Sequence, residues 1–111
     1  MGEQGYLGEF ELMVLLAVVH LGDEAYGVQL AKELQVRRGG RVALGSVYAA
    51  LERLEGKGLV TSMLGEATAE RGGRAKRYFR VTEKGVKAIQ ATRAVLSGMW
   101  QAVPFPAEEI A

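Results

Sequence analysis

The sequence predicts a mainly α fold with a small β-hairpin: a winged helix-turn-helix followed by a C-terminal dimerisation helix. Three observations carry this expectation. Four segments space their apolar residues at helical intervals, two short β-prone runs lie between the third and fourth of them, and a glycine- and arginine-rich stretch joins those runs. The order is helix, helix, short strand, helix, strand, basic loop, strand, helix. Residues 1–81 are read as the winged helix-turn-helix region and residues 82–104 as a dimerisation helix of the same structural domain. Residues 105–111 are read as a flexible tail.

The first helix is expected over residues 8–21. Phe10, Met13, Val14, Ala17, Val18 and Leu21 share one helical face. Leu15, Leu16 and Val19 lie off that stripe, so the helix is apolar nearly all round and should be buried on several sides. Asp23 is a candidate N-cap for a second helix over residues 24–37. There Tyr26, Leu30 and Leu34 recur every fourth residue, Gly27 and Ala31 offer a small-residue seam, and Gly39 with Gly40 ends the helix. Arg41 to Leu44 is long enough for one short strand. The third helix, Gly45 to Gly56 with Ser46 as candidate cap, turns Val47, Leu51 and Leu54 inward, with Leu59 following. Ser46, Ala49, Glu52, Arg53 and Gly56 take the opposite face, with Tyr48 on the flank.

Leu59 to Leu64 and Lys76 to Val81 read as the two strands of the hairpin. Gly65 to Ala75 joins them as a loop tipped with arginine. The last helix starts at Thr82 as N-cap, with Glu83 favourable to the helix dipole, and runs to Val103, where Pro104 and Pro106 stop it. On it Val86, Ile89, Arg93, Leu96, Trp100 and Val103 approach the three-four alternation of a coiled-coil seam. Ala88, Ala91, Val95, Met99 and Ala102 form a second apolar line expected to face the protein's own core. The dimer-interface candidates are therefore Ile89, Arg93, Leu96, Trp100 and Val103, with the apolar first helix assisting.

Composition narrows the function classes. The chain has 111 residues, 49% of them hydrophobic, which suits one domain with one core. Without cysteine there is neither a disulfide framework nor a Cys-based zinc site. No basic-then-apolar leader opens the sequence, and the longest apolar run, Leu12 to Val19, is far short of the ~20 residues that span a bilayer. The expectation is a soluble, cytoplasmic protein with no membrane partner. No metal-ligand spacing, catalytic triad pattern or phosphate-binding Gly-Lys-Ser/Thr loop occurs, so neither enzyme activity nor a cofactor is expected. Charge is the informative quantity. Residues 1–36 carry one Lys and six acids, residues 37–80 ten Lys or Arg against four acids, and residues 81–111 three of each. That asymmetry points to one anion-facing surface on an otherwise neutral body.

The B-DNA major groove, about 12 Å wide, admits one α-helix, and a helix face of small residues permits close approach. Ser46, Tyr48 and Arg53 can donate hydrogen bonds from the third helix, and Lys57 follows at its end. Arg71, Arg74, Lys76 and Arg77 can reach phosphates from the hairpin, the "wing". Other roles compete for these residues: Tyr48 packing on the wing, Arg53 pairing with Glu52 or Glu55, and Arg71 to Arg74 as an inert turn. Arg37, Arg38 and Arg41 read as solvated charge, and His20 as a structural or exposed residue.

The segment Gly45-Ser46-Val47-Tyr48-Ala49-Ala50-Leu51-Glu52-Arg53-Leu54-Glu55-Gly56-Lys57-Gly58-Leu59-Val60 resembles the recognition-helix signature of PadR-family transcriptional regulators. Gly73 to Gly85 resembles that family's wing strand leading into its last helix, and Ala25 to Leu30 its second helix. The resemblance covers almost the whole chain, in its compact branch with a single C-terminal helix. It implies a repressor acting on a nearby promoter as a homodimer joined by that helix. It places Ser46, Tyr48 and Arg53 on recognition-helix positions and Arg74, Lys76 and Arg77 on the wing. It also makes Trp100 a candidate contact for a planar small-molecule effector, though at a different offset from the family's drug-stacking aromatic. The expected partners are thus double-stranded DNA, a second copy of the chain and a small-molecule effector. Competing readings are a MarR-like repressor, a protein–protein adaptor, and a small-molecule-binding protein built around Trp100.

Overall fold

A computed structural model describes residues 7–67 and 75–104 of the chain. They form three helices, α1 (Glu9–Leu21), α2 (Gly27–Arg38) and α3 (Leu44–Gly56), an antiparallel hairpin of β1 (Val60–Ala67) and β2 (Ala75–Val81), and a last helix α4 (Glu83–Gln101). Helix α1 is the centre of the packing, touching α2, α3, β2 and α4. This explains why Leu15, off the apolar stripe, is as fully buried as Val14 on it. Of the apolar residues of α1, only Leu16 and Val19 keep substantial exposure, at 44% and 48%. Leu30 and Leu34 of α2, Val47, Leu51 and Leu54 of α3, and Val60 and Phe79 of the hairpin complete the core.

Three local expectations are corrected. Helix α2 begins at Gly27, after a 3-10 turn over Gly22–Glu24, and Asp23 caps nothing. Ala25 and the extended Tyr26 are taken up by the sheet instead. Phe79 N–H donates to the Ala25 carbonyl at 2.8 Å, and Tyr26 forms a bridge to Tyr78, so tertiary pairing overrides the local cap signal. Arg41–Ala43 forms no strand, Leu44 already belongs to α3, and the bridge to β2 comes from Tyr26 instead. Val42 is buried and donates its N–H to Gln35 Oε1 at 3.2 Å. Finally, α3 starts at Leu44 with Ala43 as N-cap and no side-chain cap, so Ser46 is left free of that duty.

The hairpin registers Val60 with Val81 and Leu64 with Arg77, with an irregularity between Leu64 and Ala67. The strands extend a little beyond their predicted ends, and Arg71 and Arg74, expected at the tip, lie outside the described residues, as does the tail over 105–111. Thr82 caps α4 as its sequence predicts. Its hydroxyl accepts from Gly85 N–H at 3.0 Å and donates to the Gly58 carbonyl at 2.7 Å, fastening α4 to the end of α3. Only the first half of α4 is docked: Gly85 and Thr92 are buried, and Ala88 and Ile89 pack partly on the core. The expected second line is corrected here, since Ala91, Val95, Met99 and Ala102 are exposed. A helix of 19 residues is ~28 Å long, and its distal half extends past the body of the domain.

Candidate nucleic-acid interface

Helix α3 separates its residues sharply. Val47, Ala50, Leu51 and Leu54 are buried, whereas Gly45, Ser46, Ala49, Glu52, Arg53 and Gly56 face outward and are exposed. Gly45, Ala49 and Gly56 leave the middle of that face low, the shape that lets a rod settle close to another surface. The described residues of its own chain do not cover it.

Tyr48 is 38% exposed and leans on α2. Its ring and hydroxyl fill the space where a Cβ on Gly27 would stand. The Gly27 seam read from the sequence is therefore the seat of Tyr48. Arg53 is paired, but not with Glu52 or Glu55. Its Nε donates to Glu11 Oε2 of α1 at 2.6 Å, and Lys57 Nζ donates to the other oxygen at 2.8 Å. The Lys57 hydrogen bond does most to hold the Glu11 carboxyl below the ordinary glutamate range. Partial burial opposes it, and Arg53 adds to the lowering.

The wing is tied to α3 by a relay. Arg77 Nη2 donates to Ser62 Oγ at 3.1 Å, and Ser62 Oγ donates to Glu55 Oε2 at 2.9 Å. Lys76 rests its ammonium 4.2 Å from the centre of the Tyr26 ring, which meets Tyr78 edge-on at 5.4 Å. The structure thus gathers Ser46, Tyr48, Arg53 and Lys57 on one helix, joins Arg77 to it, and holds Lys76 on the aromatic pair behind the wing.

Sequence reasoning missed Glu11, Arg38 and Arg41. The two arginines, with Phe10, Val42, Ala43 and Ser46, line a concavity of about 420 Å³. The signal available for them was their position, a basic helix end immediately before the turn into α3. A second groove, of about 320 Å³, runs between α1 and α2 over Met13, Leu16, Ala17 and Leu34. His20, Glu33, Arg37 and Arg38 form its polar rim, with Arg37 Nε donating to Glu33 Oε2 at 2.8 Å and His20 Nε2 3.5 Å from the same oxygen. Of the dimer-interface candidates, Arg93, Leu96 and Trp100 are exposed and Val103 is half-buried, while Ile89 spends part of its surface on its own core.

Residues 15–91 match the transcriptional regulator PadR-like family, most of the chain including α2, α3 and the hairpin. The chain belongs to the PadR-like family of transcriptional regulators. Among curated relatives, the transcriptional regulator Rv3488 of Mycobacterium tuberculosis is 36% identical over 85 residues, covering 75% of each chain. Among solved structures, a PadR-like transcription factor from Bacteroides fragilis superposes with a TM-score of 0.70 at 25% identity, covering 92% of this chain and 89% of that one. A PadR-family regulator from Eggerthella lenta gives 0.67 at 25% identity, with 86% and 82% covered. The winged helix-turn-helix architecture of this PadR-like regulator is thus shared with its relatives. None of its described helices is long and apolar enough to cross a membrane.

Proposed function

We propose that this PadR-family regulator binds double-stranded DNA as a homodimer, lays α3 of each subunit in the major groove, and represses transcription from a pseudo-palindromic operator. The observation that carries the reading is the open, low face of α3, with Ser46, Arg53 and the edge of Tyr48 as its donors and Ala49 at its middle. Arg53 and Lys57 would exchange the Glu11 carboxylate for DNA, and Arg77, with Arg71, Arg74 and Lys76, would bring the wing to the backbone. Base-edge contacts from α3 supply sequence choice, whereas phosphate contacts supply affinity and register.

The dimer is supported by the distal half of α4. Leu96, Met99 and Trp100 are 45%, 65% and 64% exposed, and Leu16 and Val19 add apolar surface on α1. Apolar side chains in such number on one projecting helix favour burial against a second copy. A two-fold dimer offers two α3 helices, so the half-sites should lie ~10 bp apart or a multiple of that. The exposed indole of Trp100 also favours a planar effector held between the α4 helices, which would act by favouring one spacing of the two wings over another.

A protection assay on the promoter upstream of the regulator's own gene tests the proposal. Two protected half-sites related by symmetry are expected. Failure to protect or shift any duplex at low salt contradicts it.

A further inference from the structure

The geometry points to a phosphate clamp beside the start of α3, formed by Arg38, Arg41 and Ser46, that grips the phosphodiester backbone of the bound DNA strand. This inference rests on the DNA-binding reading and adds to it Arg38 and Arg41, which lie outside the recognition helix and wing.

The clamp follows from how the α2–α3 connection is built. Helix α2 ends at Arg38, and Gly39 and Gly40 adopt φ of +79° and +89°, a region that only glycine enters readily. These two left-handed residues end α2 and turn the chain, and Arg38 and Arg41 on either side of them line one concavity. Val42 then plugs into the core, with its N–H on Gln35 Oε1, and fixes the connection. The result is the concavity of about 420 Å³, whose lining includes Arg38, Arg41 and Ser46.

Charge and hydrogen bonding both fit an anion. Neither Arg38 nor Arg41 forms an ion pair among the described residues, whereas Arg37, Arg53, Lys57 and Arg80 all do. The guanidinium of Arg38 stands 6.0 Å from the centre of the Phe10 ring, a contact that leaves its charge unneutralised. Ser46, relieved of helix capping, has its hydroxyl available, and Ala43 at the N-cap has no side-chain oxygen for the first turn of α3, although its carbonyl accepts from Ser46 N–H and Val47 N–H. That first turn carries the positive end of the helix dipole toward the same side. Planar guanidinium forks match phosphate oxygens geometrically, which makes two such arginines beside a hydroxyl a fitting seat for a tetrahedral anion. Its place at the edge of the exposed α3 face puts it where a duplex strand would run when that helix enters the groove. Ser46 is thereby assigned to the backbone and not to a base.

The test is the salt dependence of binding to operator and to unrelated duplex, measured for the full chain and for R38Q/R41Q, R41Q, S46A and R80Q. Arg38 and Arg41 are both exposed, so the fold should survive, as far-UV circular dichroism will show. The slope of log K against log salt should flatten by about 1.8 in R38Q/R41Q, the value for one phosphate per subunit of the dimer no longer neutralised, and by part of that in R41Q. S46A should weaken binding by the same factor on both duplexes. R80Q removes an equal charge from an arginine that sits by Asp23, and should leave the slope as it is. Wild-type binding with unchanged slopes in R38Q/R41Q and R41Q overturns the clamp alone, as does an S46A variant that loses discrimination between the duplexes. Absence of any DNA binding by the wild-type chain overturns the clamp and the DNA-binding reading together.

Discussion

Arg53 Nε donates to Glu11 Oε2 at 2.6 Å, joining the outward helix α3 to α1 across 42 residues of sequence. Lys57 occupies the other oxygen of the same carboxylate. Both cations that the sequence assigns to this end of the DNA-facing helix are therefore held, in the free protein, by one largely covered acid. DNA must compete with Glu11 for them.

Replacing Glu11 with Gln should have two separable effects. In binding, it releases Arg53 and Lys57, so log K should fall more steeply with log salt, by up to about 0.9 for each additional phosphate that these cations neutralise. An unchanged slope means the two cations do not meet phosphates. In stability, the variant should lose about 0.5–1 kcal/mol near neutral pH, because both cations are half-exposed and screened by solvent. The Glu11 carboxyl titrates below its unfolded value, so its contribution is present above that value and is lost as pH falls through the folded one. Urea denaturation of wild type and variant should accordingly converge in acid and separate above the ordinary glutamate range. A gap that persists to low pH contradicts the assignment.

Gly27 and Tyr48 are predicted to be energetically coupled. A Cβ on Gly27 would overlap the Tyr48 ring and hydroxyl, so G27A should destabilise the fold by about 1–2 kcal/mol even though alanine is the better helix former. In a Y48A background the same change should cost nothing or stabilise slightly. Thermal denaturation of the four proteins in this cycle checks it, since about 1 kcal/mol moves Tm by roughly 4–8 °C in a domain of this size. Additive effects of the two changes would show that the seat is not shared.

Much of this arrangement is legible in the sequence, and what escapes it has a common cause. Helical spacing locates all four helices, and Thr82 is the cap its position suggests, because these signals are local. The outward set on α3 follows from the inward spacing of Val47, Leu51 and Leu54. Local signals fail wherever a distant segment intervenes. Tyr26 is drawn into the sheet by Tyr78, which delays α2 and leaves Asp23 without a helix to cap. Arg53 finds its partner on another helix, where no periodicity points. Arg38 and Arg41 read as loose surface charge in the sequence, whereas the fold has them line one concavity with Ser46.

The projecting half of α4 gives a prediction about assembly. Trp100 is 64% exposed in the single chain, so W100E should leave the fold and its circular dichroism intact. It should convert a dimer into a monomer at micromolar concentration in sedimentation or light scattering. A wild-type chain that is already monomeric at that concentration contradicts the dimer.

The most direct measurement concerns Ala49, at the middle of the exposed α3 face. Equilibrium titration of promoter DNA with wild type and A49D should show operator binding by the first. The second, equally folded, should lose it by a hundredfold or more, because a carboxylate there would be driven against the groove. If A49D binds the operator as tightly as wild type, α3 does not enter DNA by this face.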